Sequence, residues 1–174
     1  MQTKWIDLRA ARTEDDPFLY ELYATTRADE MARVDWTPVQ KELFLHMQFN
    51  AQRYSYSALF PEARHQVILQ NDRLIGRIMT HQSAEELLLV DIALLPEYRR
   101  HGIGTGLIQA LQAEALEAGL PVHLHVETFN PAQFLYERLS FKKVRLDGIY
   151  FSMEWQPTLN ISQDSRPLFA LMEK

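Results

Sequence analysis

The sequence predicts a mixed α/β (α+β) domain, in which helices cover both faces of a central sheet of six to seven strands. Residues 87–95 form an apolar run typical of a buried strand, and a glycine-containing turn then leads into an amphipathic helix. Residues 122–127 alternate between apolar and polar side chains, as a half-buried strand does. A strand, a helix and a second strand in this order predict one parallel crossover.

The first part of the chain predicts a strand, two helices and a hairpin. The strand covers residues 5–10, the helices begin near Asp16 and Pro38, and the hairpin strands cover residues 65–69 and 74–80. Asp16 before Pro17 is a favourable helix start, and Thr37 with Gln40 forms a capping box. Asn71-Asp72-Arg73 has turn composition, and Gly76 indicates a bulge or a close approach of the backbone.

The second predicted helix carries an aromatic-rich apolar stripe before it ends at Pro61. Val39, Leu43, Met47 and Tyr54 lie on one side of this helix. Core packing is the commoner fate of such a stripe, and the wall of a ligand pocket is the alternative.

The second part of the chain predicts a helix, a strand, a short helix and a terminal hairpin. The long helix covers residues 104–118, with Leu116 on its buried face, and ends at Gly119. The short helix starts at Asn130-Pro131 and packs through Phe134, while the hairpin turns at Asp147-Gly148. We expect a single domain over residues 1–155 and a C-terminal tail, irregular or docking, over residues 156–174.

The turn after the apolar run has the composition of a phosphate-binding loop. Glycines let backbone N–H groups converge on an anion, and a helix N-terminus adds free donors and partial positive charge. The candidate residues are Arg99, Arg100, His101, Gly102, Ile103, Gly104, Thr105 and Gly106. The P-loop and the dinucleotide-binding motif are both excluded, because Gly-Lys-Ser/Thr is absent and the glycine spacing differs.

Composition limits the class of protein further. The chain has 174 residues, no cysteine and a net charge of −5. These values argue against disulfides, thiolate metal sites and nucleic acid as the main ligand. No apolar run approaches the ~20 residues of a membrane span, and residues 1–5 lack a signal-peptide core. We therefore expect a cytoplasmic protein that does not bind membranes, and a homodimer stays open.

Two motifs together resemble the GNAT superfamily of N-acetyltransferases. Arg99-x-x-Gly102-x-Gly104 after a strand is similar to the acetyl-CoA pyrophosphate loop of that superfamily, and residues 124–141 are similar to its second motif. One departure is Ser140, where the superfamily usually has glycine. A left-handed helix end costs a non-glycine residue roughly 1 kcal/mol, which affects that helix end and not the chemistry.

The resemblance implies that acetyl-CoA binds where two parallel central strands splay apart. It assigns the pyrophosphate to the loop from Arg99 to Gly106 and the pantetheine arm to the strand backbone. The backbone residues are Ile92, Ala93 and Leu94, and Asn130 and Tyr136 complete the cofactor site. Tyr136 is implied to be the general acid that protonates the leaving thiolate, and acetyl-CoA is a co-substrate.

Three side chains are candidates for the general base. His125 is the first, because an imidazole suits base catalysis near neutral pH, and Glu127 lies on the same face of the strand. Asp91 is the third candidate, and a water chain without a dedicated base is the alternative. His123 and His125 share a face, but no third ligand has suitable spacing, so no metal site is predicted.

The leading hypothesis is an N-acetyltransferase that transfers the acetyl group to a primary amine by direct attack. The amine belongs to a small molecule or to a protein N-terminus. The alternative is a CoA-binding sensor or interaction domain of the same fold without turnover. A nucleotide binder of the P-loop type is disfavoured by the missing Lys-Ser/Thr.

Overall fold

The computed structural model describes residues 6–157, which form seven strands and five α-helices. The strands are β1 (Ile6–Ala10), β2 (Arg64–Gln70), β3 (Arg73–Gln82), β4 (Leu87–Leu94), β5 (Val122–Glu127), β6 (Lys142–Asp147) and β7 (Tyr150–Trp155). The helices are α1 (Asp16–Thr26), α2 (Ala28–Arg33), α3 (Pro38–Leu59), α4 (Ile103–Ala118) and α5 (Ala132–Arg138). Within this part of the chain, no helix is long and apolar enough to cross a membrane.

All seven strands belong to one sheet with the order β1-β2-β3-β4-β5-β7-β6. Every neighbouring pair is antiparallel except β4 and β5, which are parallel and are connected through α4. The predicted mixed sheet and its parallel crossover are therefore confirmed.

Helices cover both faces of the sheet. On one face, α4 and α5 pack against the central strands through residues such as Ile108, Leu111 and Leu124. On the other face, α1 and α3 form a smaller cluster that includes Phe49 and reaches Val67 of β2. The two clusters meet the sheet from opposite sides because successive strand residues point to opposite faces.

Several local predictions are confirmed. Thr37 and Gln40 form a reciprocal capping box at the start of α3. Asn71 and Asp72 adopt left-handed conformations, with φ of 50° and 63°, in the β2–β3 turn. Gly119 ends α4 with φ of 68°.

The start of α1 differs from the prediction. The helix begins at Asp16, so Asp16 is its first residue rather than its cap. The preceding Asp15 is buried and receives two hydrogen bonds of 2.7 Å from the Arg9 guanidinium and one of 2.8 Å from the Arg12 N–H. The hydrogen bonds from Arg9 are the main cause that lowers the pKa of Asp15 to about 2. This carboxylate therefore fixes α1 to β1.

The apolar stripe of α3 is exposed, so the expectation of core packing is wrong for its main members. The side chains of Val39, Leu43, Met47 and Tyr54 are 58–77% exposed. Only Phe49 of this helix is buried. The helix thus contacts the rest of the described structure along a different and narrower face than the one its periodicity predicts.

Two other predicted core residues are also exposed, and one helix was not predicted. Leu116 of α4 and Phe134 of α5 are exposed, because each helix buries only part of its apolar face. The short helix α2 follows α1 after a single residue, and its sequence has no strong start signal. Gln156 and Pro157 have no regular structure, and the rest of the expected tail lies outside the described residues.

Candidate functional site

A gap opens between the two parallel strands at the centre of the sheet. β4 and β5 pair only over residues 87–89 and 122–124. Beyond these residues β4 stays paired with β3 up to Leu94, and β5 stays paired with β7 up to Glu127. Each strand therefore has one edge whose N–H and C=O groups have no partner strand, and such an edge can bind an extended polar chain.

A β-bulge and a glycine explain where the gap begins. The β3–β4 register passes from Thr80–Leu89 to Met79–Asp91, which leaves Val90 as an extra residue in β4. A bulge bends its strand and increases its twist, so it turns β4 away from β5. Further along, a Cβ at Gly76 would lie 2.3 Å from the Ala93 carbonyl oxygen, so the bent end of β4 packs tightly on β3. The predicted close approach at Gly76 is confirmed.

The predicted phosphate loop lies at the end of β4 and opens into α4. Arg100 and Gly102 have φ of 60° and 80°, and α4 begins at Ile103. The first N–H groups of a helix have no partner within the helix. A Cβ at Gly106 would meet nothing within 4 Å, and one at Gly104 would meet only Leu135 at 3.8 Å. Packing therefore does not require glycine at these two positions, and the space beside the helix start is open.

Arg99 is exposed, and its guanidinium bonds to two neighbouring elements. Its Nε donates to the Leu94 carbonyl oxygen at 2.8 Å, and its Nη2 donates to Thr25 Oγ1 at 3.3 Å. These bonds tie the loop to the end of β4 and to α1. Arg100 and His101 are exposed beside the helix start.

A groove of about 490 Å³ lies beside the start of α4. It is lined by Ile6, Gln70, His101, Gly102, Ile103, Gly106 and Leu107. The groove adjoins the phosphate loop but does not include Tyr136 or the gap. The gap is the better candidate for the reacting end of a ligand, because its strand edges carry the unpaired backbone groups.

Tyr136 lies on α5 and packs into the core beside the sheet. Its side chain is 7% exposed, and its ring lies edge-on to Phe141 with centroids 5.9 Å apart. The pKa of Tyr136 is raised to about 12, mainly by burial and secondly by the negative charge of Asp91. The phenol is therefore a proton donor throughout the physiological pH range.

The α5 motif is built around backbone turns. Asn130 Oδ1 accepts a hydrogen bond of 2.9 Å from the Ala132 N–H, so this side chain stabilises the helix start. Ser140 adopts φ of 68°, which is the left-handed helix end expected from the motif. The cofactor-binding role of Asn130 stays a prediction.

The three base candidates differ in their surroundings. His125 is exposed on β5 and faces Ser152 across the β5–β7 pair. Glu127 is partly buried. Burial would lower the pKa of Arg27 at the end of α1, but Tyr23, then the charges of Glu30 and Glu127, raise it. Asp91 lies at the bulge, and its catalytic role and those of His125 and Glu127 stay predictions.

His123 belongs to a separate cluster with two glutamates. Its Nδ1 lies 2.6 Å from Glu86 Oε2, a close contact without hydrogen-bond geometry. Its Nε2 makes a hydrogen bond of 2.7 Å with Glu154 Oε2. Among residues 6–157, no three His, Asp or Glu side chains are grouped so as to hold a metal ion.

The sequence did not indicate the buried contact between Arg77 and Asp91. Arg77 of β3 is 5% exposed, and its Nε donates to Asp91 Oδ2 at 2.5 Å. Its Nη2 donates to Gln52 Oε1 of α3 at 2.7 Å. The available signal was an arginine in the middle of an otherwise apolar strand, since a buried charge requires a partner.

A comparison with protein families identifies the class of protein. The model of the Acetyltransferase (GNAT) family matches residues 18–141. The chain belongs to this family, as its two motifs suggested. The gap, the glycine loop and the α5 motif all lie within the matched range.

Individual relatives cover parts of the chain. It is 32% identical over 85 residues to the ribosomal protein bS18-alanine N-acetyltransferase of Haemophilus influenzae, covering 48% of this chain and 58% of that protein. It is 42% identical over 67 residues to an N-alpha-acetyltransferase of Sulfurisphaera tokodaii, covering 37% and 40%. The chain thus spans about half the length of the curated relatives it matches.

Solved structures share the fold over most of the chain. The PaiA N-acetyltransferase from Thermoplasma acidophilum in complex with coenzyme A has a TM-score of 0.64 at 22% identity and covers 87% of this chain and 99% of that one. The ribosomal-protein-S18-alanine N-acetyltransferase from Escherichia coli has a TM-score of 0.58 at 21% identity and covers 91% and 98%. At these identities the likeness establishes the fold.

Proposed function

We propose that the protein transfers the acetyl group of acetyl-CoA to a primary amine. The observation that carries this proposal is the gap between β4 and β5. One end of the gap adjoins the glycine loop, and its inner end lies where the two strands begin to pair. An extended pantetheine arm with a phosphate group at one end matches that arrangement. Membership of the GNAT family supports the same activity.

The cofactor is proposed to bind mainly through backbone groups. The pyrophosphate contacts the N–H groups of the loop from Arg99 to Gly106, where the helix start favours an anion. The amides of the pantetheine arm pair with the free edge of β4 at Ile92, Ala93 and Leu94. This pairing brings the thioester toward Tyr136, with Asn130 holding the start of its helix.

The proposed reaction is a direct attack without a covalent enzyme intermediate. The ammonium group first loses one proton, because only the neutral nitrogen has a free electron pair. That nitrogen forms a bond to the acetyl carbon, and the carbon–sulfur bond breaks with its electrons on sulfur. The sulfur takes a proton from the Tyr136 hydroxyl, and the proton lost from the new amide nitrogen restores the phenol. One proton is released in total.

The first proton requires an acceptor, because an amine with a pKa of ~10.4 is almost entirely protonated at pH 7. His125 is proposed as the general base, with Glu127 as the alternative on the same face. An exposed imidazole can accept the proton directly or through a water molecule. Asp91 has a different environment, because its carboxylate accepts a hydrogen bond from the buried Arg77.

The acceptor is proposed to be a cationic primary amine of a small molecule or a protein N-terminus. The names of two curated relatives support a protein N-terminus, since one is an N-alpha-acetyltransferase and the other acetylates an alanine of a ribosomal protein. The ring of Tyr56 lies 5.9 Å from the Arg77 guanidinium that contacts Asp91, and an aromatic face near a carboxylate attracts a cation.

The decisive experiment measures thiol release from acetyl-CoA in the presence of a panel of amines. The panel contains polyamines, amino acids, aminoglycosides and short peptides with free N-termini, each with an N-blocked copy as its matched control. Release that depends on the free amine supports the proposal. Tight CoA binding by calorimetry without release for any amine would contradict it and favour a CoA-binding domain without turnover.

A further inference from the structure

Three elements meet at one buried charge. Arg77 of β3 contacts Asp91 of β4 through Nε and Gln52 of α3 through Nη2. Its guanidinium also lies 5.9 Å from the ring centroid of Tyr56. Removing a guanidinium from water is costly unless charged and polar partners replace the water. The arginine therefore has a defined orientation, and it imposes one on the carboxylate.

Asp91 stands at the inner end of the gap. It is the first residue of β4 after the bulge at Val90, which is where β4 has already left β5. Its side chain is 24% exposed, whereas that of Arg77 is 6% exposed. The one hydrogen bond that the described residues make to this carboxylate ends on Oδ2. Oδ1 has no hydrogen-bond partner among these residues.

The surroundings of Asp91 suit a protonated amine. Burial is the largest of the causes that raise the pKa of Tyr56 to about 12. The negative charge of Asp91 raises this pKa further, and the positive charge of Arg77 lowers it. The charges of Tyr150 and Tyr23 raise the pKa of Tyr56 further. Aromatic faces together with one carboxylate attract a cation. The charge of Asp91 also raises the pKa of Tyr136, the proposed proton donor.

We propose that Arg77 is a positioning residue that, with Gln52, fixes Asp91 so that its Oδ1 binds the amino group of the acceptor and directs it at the thioester. Asp91 contacts the substrate, and Arg77 acts only through Asp91. The inference rests on the proposed function and adds the residues that select a cationic acceptor. The positive charge that develops on nitrogen during the attack then faces a fixed negative charge.

The test compares Asp91→Asn, Arg77→Lys and the double variant in steady-state kinetics with the best amine of the panel. Lysine keeps a positive charge beside the Asp91 carboxylate, so that carboxylate is still neutralised. A lysine ammonium lacks the forked donors of arginine, so it cannot bind Asp91 and Gln52 at the same time. Arg73→Lys is the matched control, because Arg73 is an exposed arginine at the start of the same strand. Thermal melting and the Kd of acetyl-CoA are measured for every variant.

We expect Asp91→Asn to raise the acceptor KM at least tenfold and Arg77→Lys to raise it about three- to tenfold, with the Kd of acetyl-CoA within twofold. In the Asp91→Asn background, Arg77→Lys should add less than a twofold change, because residues that act through one another are not additive. A purely structural role would lower the melting temperature and the affinity for acetyl-CoA without this selective change in KM.

Two outcomes would overturn the inference while leaving the proposed function intact. One is an unchanged acceptor KM in folded Asp91→Asn, and the other is a fully additive effect of the two substitutions. Absence of thiol release by the wild-type protein with every amine would overturn the proposed function and this inference with it.

Discussion

The two faces of the sheet are covered by helices that are held in different ways. On the face with α4 and α5, proposed to bind the cofactor and called the cofactor face, α4 buries Leu107, Ile108, Leu111 and Ala115 against the central strands. On the face with α1 and α3, proposed to bind the acceptor and called the acceptor face, the longer helix α3 buries only Phe49. Cores with many close contacts tolerate little change, whereas a helix held by few contacts can vary without loss of the core. The arrangement separates a tightly packed side, proposed for the cofactor, from a loosely packed side, proposed for the acceptor.

The same difference extends to the way each face recognises its ligand. The cofactor face offers backbone groups from one continuous stretch, namely the free edge of β4 and the start of α4. The acceptor face offers side chains from distant segments, such as Gln52, Arg77 and Asp91, which are 25 and 14 residues apart. Backbone recognition depends on glycines and turns, while side-chain recognition depends on the tertiary fold.

The largest effect is expected at Tyr136, the proposed proton donor on the cofactor face. Tyr136→Phe should lower kcat roughly 10²- to 10⁴-fold, because the leaving thiolate loses its proton donor. The Kd of acetyl-CoA should stay within twofold, since the ring and its packing are retained. Because the pKa of Tyr136 is raised to about 12, the wild-type phenol stays protonated, and this group should cause no loss of turnover between pH 7 and 10.

Tyr54→Phe is the matched control for Tyr136→Phe. Tyr54 is 77% exposed on α3, so loss of its hydroxyl should change neither kcat nor binding. Turnover of Tyr136→Phe within a factor of two of the wild type would show that the thiolate obtains its proton from another group.

The second largest effect is expected from a change that is confined to the cofactor face. Gly104→Val should weaken acetyl-CoA binding roughly 10- to 100-fold, because the branched side chain blocks an anion from the N–H groups and one charge-assisted bond is lost. The fold should be retained, since the nearest atom to the new Cβ is 3.8 Å away and valine has a higher helix propensity than glycine. Calorimetry with acetyl-CoA measures the affinity.

Ala110→Val places the same side chain at an exposed position of α4 and should leave the affinity unchanged. An unchanged Kd in folded Gly104→Val would contradict the assignment of the loop to the pyrophosphate. A raised acceptor KM with normal cofactor affinity would contradict the separation of the two faces.

Sequence alone predicted the cofactor face well because its signals are local. Gly119 ends a helix, Ser140 occupies a helix-end position, and residues 122–127 alternate as a strand; each feature depends only on neighbouring residues. The extent of β4–β5 pairing depends on the resemblance, because no local pattern shows where two strands cease to pair. The roles of the loop residues and of Tyr136 are still predictions.

Sequence alone did not predict the acceptor face because its contacts are long-range. The pair of Arg77 and Asp91 depends on the β3–β4 register, which a bulge shifts by one residue. The stripe of α3 shows the same limit, since periodicity identifies an amphipathic helix but not the surface that its apolar side meets. That surface is fixed only when all the other elements are in position.

The smallest effect is expected on the exposed stripe of α3. Leu43→Gln should change the free energy of unfolding by about 0.5 kcal/mol or less, because the side chain is 66% exposed and glutamine has a similar helix propensity. The matched change on α4, Leu111→Ala, should cost roughly 2–5 kcal/mol, because its side chain is buried in the core. Urea unfolding of both variants measures the difference.

A loss of more than about 2 kcal/mol in Leu43→Gln would show that the stripe is covered in solution. Sedimentation at several concentrations would then test whether a second copy of the chain covers it. A loss below about 1 kcal/mol in Leu111→Ala would instead contradict the contrast between the two faces, since both helices would then be held equally loosely.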